Sequence, residues 1–458
     1  MLQIRKIELK MGSEERASET QIIAIPLPFQ GHFSPMLQLS NRLASKGFKV
    51  TLLVISQTEM TKSPNNTSVN VEFISQAVEN NAESFQKFVD TVLRKLPEIV
   101  AKLSNSGYRV SYVVYDSLLP GVLEIAKKLG IGGAPLFTMS CSVSKIFETA
   151  YQGMLNVPVE QTPVLIDGLP PLDIFDLPTF FFDLATYPNS LEFLLNQFMN
   201  ISDADWVFFN TFNSLEKEVL KLMESQCKIT TIGPIIPSVY LDKRIENNKD
   251  YGLSLFKPEI ESCKKWLDSR ETCSVVYVSY GSLTVMSEKQ MEEIANGLKS
   301  SNYYFLWVVR ESELKTLPNN FVEETSEKGL VVSWCHQLEV LSHKSIGCFV
   351  THCGWNSTME ALSLGVPMVG MPQWVDQTTH AKFIADVWEV GVRVKTDGEE
   401  RMVKKEEIER CIKEVMEGEK AKYFRMNSEK WKKLAKEAID EGGTSDRSIQ
   451  EFVTNMML

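Results

Sequence analysis

Residues Trp334 to Gln377 read WCHQLEVLSHKSIGCFVTHCGWNSTMEALSLGVPMVGMPQWVDQ. At their centre a short apolar run, Gly347-Cys348-Phe349-Val350, breaks into Thr351-His352-Cys353-Gly354-Trp355-Asn356-Ser357. An amphipathic segment then runs to Gly365-Val366-Pro367. This pattern predicts strand, tight turn and helix. Glycine at 354 lets backbone come close to a ligand. The first amides of the following helix lack intrahelical partners and lie at the positive end of its dipole. Such a turn is an anion site, and a diphosphate is its natural guest.

The same alternation extends in both directions. Upstream, strands are predicted at Gln21–Pro28, Lys49–Ile55, Val69–Ile74, Val110–Tyr115, Ala134–Thr138 and Trp206–Phe209, with a helix over 82–104. Ser34 with Pro35 predicts a helix start, so that helix covers Met36–Lys46 and leaves His32 in the loop before it. Around and beyond the central stretch, strands are predicted at Ser274–Ser279, Tyr303–Val309, Leu330–Ser333, Gly347–Thr351 and Pro367–Met371. Helices are predicted near 287–300, 337–343, 356–364, 377–389, 404–417, 419–440 and 445–456. Two runs of strand–helix alternation mean an α/β protein of two Rossmann-like doubly wound domains facing across a cleft. The expected division is an N-terminal extension over 1–20 and a first domain over 21–236. A linker over 237–256, a second domain over 257–440 and a C-terminal helix over 441–458 follow. Residues 156–190, rich in proline and aromatics, are too long for a simple connection.

Composition narrows the function. The chain has 458 residues, 43% of them hydrophobic, which fits two packed cores. A net charge of −11 argues against a nucleic-acid partner. The eight cysteines form no C-x-x-C pair, which reads as reduced thiols in a cytoplasmic protein. The first twenty residues lack the apolar region of a secretory signal, and no apolar run reaches membrane-spanning length, so no stable membrane insertion is expected.

The stretch Trp334–Gln377 resembles the 44-residue signature box of the plant family 1 UDP-glycosyltransferases. The resemblance rests on His352-Cys353-Gly354-Trp355-Asn356-Ser357 with Glu360, and on Pro372-Gln373-Trp374 with Asp376-Gln377. It extends over about residues 20–458, and segments such as Tyr251-Gly252-Leu253-Ser254-Leu255-Phe256 resemble the subgroup acting on phenolics, triterpenoids and steroids. The resemblance implies a GT-B fold and inverting transfer of glucose from UDP-glucose to a hydrophobic small-molecule acceptor. UDP-glucose is then a co-substrate, and no cofactor is expected; the protein is expected to be a monomer.

Each candidate residue also has a plainer reading. His32 and Asp116 both sit at predicted carboxyl edges of strands, where an imidazole backed by a carboxylate makes a general base. The residues alone slightly favour a loop histidine and a capping aspartate; the Gln-Gly-His and Tyr-Asp-Ser segments match the family's base and supporting acid. The resemblance further implies that Trp334 stacks on uracil beside Cys335 and Gln337. It implies that Ser282, His352, Gly354, Trp355, Asn356 and Ser357 surround the diphosphate, and that Glu360 binds the ribose. Ser357-Thr358-Met359-Glu360 is equally a capping-box pattern. Asp376 and Gln377 would hold the sugar hydroxyls, with Trp374 and Trp355 as apolar walls and Thr138 touching the sugar. Phe180, Phe181, Phe182 and Tyr187 would line the acceptor pocket, or else form the core of their own loop. Asp203-Ala204-Asp205 reads as a surface pair, and no metal is expected. A non-catalytic UDP-sugar-binding protein is the alternative. A dinucleotide-dependent oxidoreductase would show G-x-G-x-x-G after the first strand, where Gln30-Gly31-His32-Phe33-Ser34-Pro35 stands instead.

Overall fold

The structure, a computed structural model, describes residues 20–56, 69–75, 82–105, 107–186, 190–224, 228–249, 251, 258–397 and 401–457. The expected extension, apart from residue 20, therefore lies outside the described residues, as does most of the second half of the expected linker.

The N-terminal half forms a parallel sheet of seven strands. They are β1 (Thr20–Ile25), β2 (Lys49–Ser56), β3 (Val69–Ser75), β4 (Arg109–Asp116), β5 (Gly132–Phe137), β6 (Val207–Phe209) and β7 (Ile229–Thr231). Their spatial order is β3-β2-β1-β4-β5-β6-β7. The C-terminal half forms a parallel sheet of six: β8 (Val275–Ser279), β9 (Tyr304–Val308), β10 (Gly329–Val332), β11 (Ile346–Thr351), β12 (Met368–Gly370) and β13 (Gly391–Arg393). Its order is β10-β9-β8-β11-β12-β13. In each sheet the chain first winds one way and then the other, so two strands from opposite windings lie side by side. Those pairs are β1 with β4 and β8 with β11. Loops from such a pair leave in opposite directions and open a crevice at the strands' carboxyl ends.

Both faces of each sheet are buried, which explains the continuous apolar runs. Ile23, Ile25, Val113 and Tyr115 face one core, and Ile22, Ala24 and Val114 face another. In the second sheet Val275, Tyr277 and Phe349 alternate in the same way with Val276, Val278, Cys348 and Val350. The strands β7 and β13 escape sequence reading because their three residues, Ile-Thr-Thr and Gly-Val-Arg, form no apolar run, whereas the equally short β6 and β12 do.

The first helix differs from its expected start. It spans Gln30–Ser45, with Pro35 inside it. Ser34 is not a cap; its hydroxyl accepts a hydrogen bond from the Gln30 amide at 2.6 Å. His32 accordingly stands in the first helical turn. Pro35 is the sixth residue of the helix, past the amides that lack an intrahelical acceptor, so its missing N–H leaves the Gly31 carbonyl without its i+4 donor.

The last helix, Thr444–Met457, packs on the first sheet. Phe452 meets Tyr112, Trp206 and Phe208 edge to face at 5.2, 5.6 and 5.0 Å between ring centres. Each such pair adds about 0.5–1.5 kcal/mol to the burial itself. The Arg42–Asp242 and Arg244–Asp446 ion pairs tie the segment leaving the first sheet to the first and last helices. Among the described residues no helix is long and apolar enough to cross a membrane, and the described cysteines are all free thiols.

Candidate functional site

His32 follows β1 and Asp116 ends β4, so the crevice between those neighbouring strands brings them together. The His32 Nδ1 lies 2.7 Å from Asp116 Oδ2, and Thr138 Oγ1 lies 3.0 Å from the same nitrogen. Asp116 is fully buried while the His32 side chain keeps 24% of its surface exposed, so the carboxylate is sealed and the imidazole opens on the cleft. The other carboxylate oxygen, Oδ1, accepts the Leu118 N–H at 3.1 Å, which holds the acid in place. Burial is the largest single influence on His32 and pulls its pKa down. The charge and hydrogen bond of Asp116, with the charge of Asp376 from the other domain, outweigh it and hold His32 above 6.5.

The second sheet repeats the arrangement. Gly281-Ser282 follows β8 and His352 follows β11. A Cβ on Gly281 would stand 2.7 Å from His352 Nε2, and one on Gly354 would stand 2.5 Å from it. The imidazole thus lies between two glycines. Gly354 is there for this approach and not for its backbone, whose φ is −59°; the left-handed residue of the turn is Cys353, at φ 65°. Burial pushes His352 down to about 4, so at neutral pH it is an uncharged imidazole. The helix Trp355–Leu364 begins at this turn with Gly354 as its N-cap residue. Ser282, His352 and the first amides of that helix are therefore close neighbours. Arg310 braces the Ser282 loop by donating to the carbonyls of Ser282, at 2.6 Å, and Thr284, and is itself held by Glu313 at 2.9 Å.

Deeper on the same side lies a buried polar chain. Tyr277 donates to Gln337 Oε1 at 3.1 Å. Gln337 Nε2 lies 2.7 Å from Glu360 Oε2 and 2.9 Å from Ser357 Oγ. Tyr251 donates to Glu360 Oε1 at 2.6 Å. Burial pushes the Glu360 carboxyl up to about 7, against the hydrogen bonds from Tyr251 and Gln337. Ser357 is the third residue of its helix and not the cap, so the capping-box reading of Ser357 and Glu360 fails.

The two domains meet around these groups. Asn356 Nδ2 donates to the Gly31 carbonyl at 2.5 Å, one residue from His32. Trp355 donates its indole N–H to the Asn210 carbonyl at 2.8 Å, and its ring stacks on His380 at 4.8 Å. His380 Nε2 in turn lies 2.9 Å from Ser140 Oγ. The segment Asp176–Thr179 of the first domain lies along Val375–Thr379 of the second.

A family profile, described as UDP-glucoronosyl and UDP-glucosyl transferase, matches residues 189–433. The chain is 48% identical over 445 residues to mogroside I-E synthase of Siraitia grosvenorii, spanning 95% of this chain and 98% of that one. It is 47% identical to UDP-glycosyltransferase 74E2 of Arabidopsis thaliana, over 95% of this chain and 98% of that one. This chain belongs to the plant UDP-glycosyltransferases. The crystal structure of Os79 from O. sativa with UDP superposes with a TM-score of 0.90 at 36% identity, over 95% of this chain and all of that one. UGT2 of Phytolacca americana, solved with UDP-2fluoro-glucose and pterostilbene, gives 0.82 at 28% identity, over 96% and 100%. The fold is GT-B, as the sequence resemblance implied.

Several residues of this glycosyltransferase stand elsewhere than the sequence suggested. Trp355 is buried at 3% exposure with its ring in the core, so it forms no wall beside a sugar; its main chain opens the helix at the turn. Phe180 and Phe181 are buried in the first domain's core, Phe181 against Phe147 at 5.2 Å, and Phe182 packs on Phe175 at 5.5 Å. Phe180 and Phe181 belong to that core, and Phe182 is partly buried against it. Tyr187 lies outside the described residues. Asp203 pairs with Lys127 at 3.0 Å and Asp205 accepts the Gly133 N–H at 2.9 Å, so the two carboxylates serve separate local contacts. Cys335 is buried, 3.4 Å from the Tyr277 hydroxyl. Trp334 is half-buried, and its carbonyl accepts from the Glu259 N–H at 2.9 Å. Asp376 stands before the helix Gln377–Lys382, and Gln377 Oε1 accepts the Gln373 and Trp374 N–H groups at 2.9 and 3.1 Å. Sequence reading missed Tyr251, Tyr277, Thr179 and Arg310. Their partners lie far along the chain, so no local pattern marks them.

Proposed function

We propose that the transferase moves glucose from UDP-glucose to a hydroxyl of a hydrophobic small molecule, a steroid, triterpenoid or phenolic, with inversion at the anomeric carbon. The observation that carries this is the His32–Asp116 pair at 2.7 Å, open to the cleft and under the charge of Asp376 from the other domain. In this reading His32 Nε2 takes the proton of the acceptor hydroxyl. The freed oxygen bonds to the anomeric carbon as the bond from that carbon to the β-phosphate oxygen breaks, and UDP departs. Asp116, on Nδ1, fixes the tautomer and stabilises the imidazolium that forms. A single displacement turns an α-linked donor into a β-glycoside.

The donor occupies the second domain. Trp334 stacks on the uracil, with the main chain of Cys335 beside it. Glu360, held by Gln337 and Tyr251, accepts the ribose hydroxyls. Ser282, Asn356, Ser357, the neutral His352 and the amides at Gly354 and Trp355 take up the charge that grows on the leaving diphosphate. Asp376, Gln377 and Trp374 hold the glucose, and Thr138 touches it. Neither a metal nor another cofactor enters this scheme, and the carboxylates of Asp203 and Asp205 are already engaged with Lys127 and Gly133. The names of relatives and neighbours support a small-molecule acceptor: one is mogroside I-E synthase, and structures are solved with trichothecene and with pterostilbene. We place the enzyme in the cytoplasm, in keeping with the free thiols of the described cysteines, and as a monomer.

The test is UDP release from UDP-glucose against a panel of steroids, triterpenoids and phenolics, for the unaltered protein and for His32→Ala. The expected result is turnover lost in the variant while UDP still binds. Intact turnover in the variant would place the base elsewhere, and a β-to-α change in the product would exclude direct displacement.

A further inference from the structure

Val375 lies between Trp374 and Asp376, in the turn we assign to glucose. Its φ is 57°, a left-handed conformation that a β-branched side chain rarely adopts. Such a conformation persists only where its surroundings over-determine it. Here they belong mainly to the other domain, with one longer contact from Thr378 Oγ1 to the Val375 carbonyl at 3.4 Å. The Val375 N–H donates to Thr179 Oγ1 at 2.9 Å, and the Val375 carbonyl accepts the Thr179 N–H at 3.0 Å. One residue therefore takes both backbone groups of the strained one. The Val375 side chain packs against the first domain's core. Two flanking contacts hold the segment in register: Thr378 Oγ1 donates to the Leu177 carbonyl at 2.6 Å, and Thr379 Oγ1 to the Asp176 carbonyl at 2.7 Å. Asp176, almost fully buried, is anchored by Arg393 and by Lys382 at 3.4 Å.

We propose that Thr179, a residue of the acceptor-side domain, is a positioning residue for the glucose-binding turn Trp374–Gln377. The inference rests on the reading that this turn holds the sugar. Without the Thr179 hydroxyl, Val375 relaxes towards extended backbone and the peptide planes on either side rotate. Those planes carry Trp374 and Asp376, so the sugar contacts move together. The uracil, ribose and diphosphate groups lie on other elements, at Trp334, Glu360 and the turn after β11, and stay where they are. The sugar site is thereby complete only when the two domains are docked along Asp176–Thr179.

The experiment compares Thr179→Val, which keeps the side chain's shape and removes its hydroxyl, with Thr179→Ser, which restores it. UDP affinity is measured by calorimetry, and kcat and KM with UDP-glucose are measured on the full chain. The expected result for T179V is a loss of about tenfold or more in kcat/KM with UDP affinity changed by less than about twofold. T179S should stay close to the unaltered protein. Adding Val375→Asn to T179V should recover much of the loss, since asparagine accepts left-handed backbone without outside help. Unchanged kcat/KM in T179V overturns the proposal, and so does equal weakening of UDP and UDP-glucose, which would make the segment a general domain clamp. If the unaltered protein binds UDP but gains nothing from the glucose moiety, the assignment of the turn to the sugar falls, and this inference with it.

Discussion

Asn356 Nδ2 donates to the carbonyl of Gly31, an acceptor left open because Pro35, four residues on in the same helix, has no N–H to offer it. The proline that would ordinarily weaken a helix here frees a carbonyl for the opposite domain, next to the residue we assign as the base. Asn356→Ala should lower kcat several-fold, by loosening His32 and by removing a donor to the diphosphate. It should cost only about 1 kcal/mol of stability, the typical net worth of one hydrogen bond. Steady-state kinetics alongside urea unfolding separates the two, and a large stability loss with unchanged kcat would refute the coupling.

The acid limb of the pH–rate profile should lie above 6.5, because Asp116 and Asp376 hold His32 above that value and the neutral imidazole is the base. Asp116→Asn should move that limb to lower pH and cut kcat by orders of magnitude, the tautomer no longer being fixed. The same raised pKa means that His32 stabilises the fold at pH below its unfolded value near 6.5. That contribution disappears as pH rises through the folded-state pKa. A limb that stays in place in the variant would remove Asp116 from the scheme.

UDP affinity should weaken below about pH 7, where Glu360 takes up a proton and can no longer accept freely from the ribose. The slope should not exceed about tenfold per pH unit for one proton. Glu360→Gln should bind UDP more weakly at pH 8 and lose the pH dependence. His352, already neutral from about pH 4 upward, adds no limb in this range. Calorimetric titrations at pH 6, 7 and 8 would check this, and a flat profile in the unaltered protein would contradict it.

Gly354→Ala tests the diphosphate site without backbone strain, since φ at 354 is −59°. Its Cβ would fall 2.5 Å from His352 Nε2 and must displace the imidazole. UDP affinity should drop about tenfold or more, the loss of one good contact to a charged group, with the unfolding midpoint nearly unchanged. Full affinity would mean that His352 does not touch the diphosphate.

Phe181 is fully buried, so Phe181→Ala should cost about 3–5 kcal/mol of stability. The preference among acceptors should stay as it was. Chemical denaturation and a competition assay with mixed acceptors would show whether this aromatic belongs to the core or to the pocket.

What the sequence determined by itself was whatever repeats locally or is spelled out in one run. Apolar runs of five to eight residues separated by helical periodicity marked the longer strands of both sheets, and Ala82–Ser104 could be bounded to the residue. The two doubly wound sheets followed, and with them the carboxyl edges at which His32, Asp116, Ser282 and His352 stand. The box from Trp334 to Gln377 marked the family for the same reason: its members are close along the chain. Tertiary structure decided everything that depends on distant segments meeting. Nothing near Pro35 announces that its missing N–H serves Asn356, and Ser34-Pro35 by itself argues for a helix starting later than it does. That Trp355 would stack on His380 and Phe181 pack on Phe147 was equally illegible, because an aromatic side chain carries no mark of the side it will face. Thr179, Tyr251 and Arg310 are ordinary residues until the fold sets them against Val375, Glu360 and the Ser282 loop. The physical cause is the same in each case. Periodicity and turn chemistry are local free energies that a short window reveals, whereas a hydrogen bond across two domains exists only after both have folded and docked.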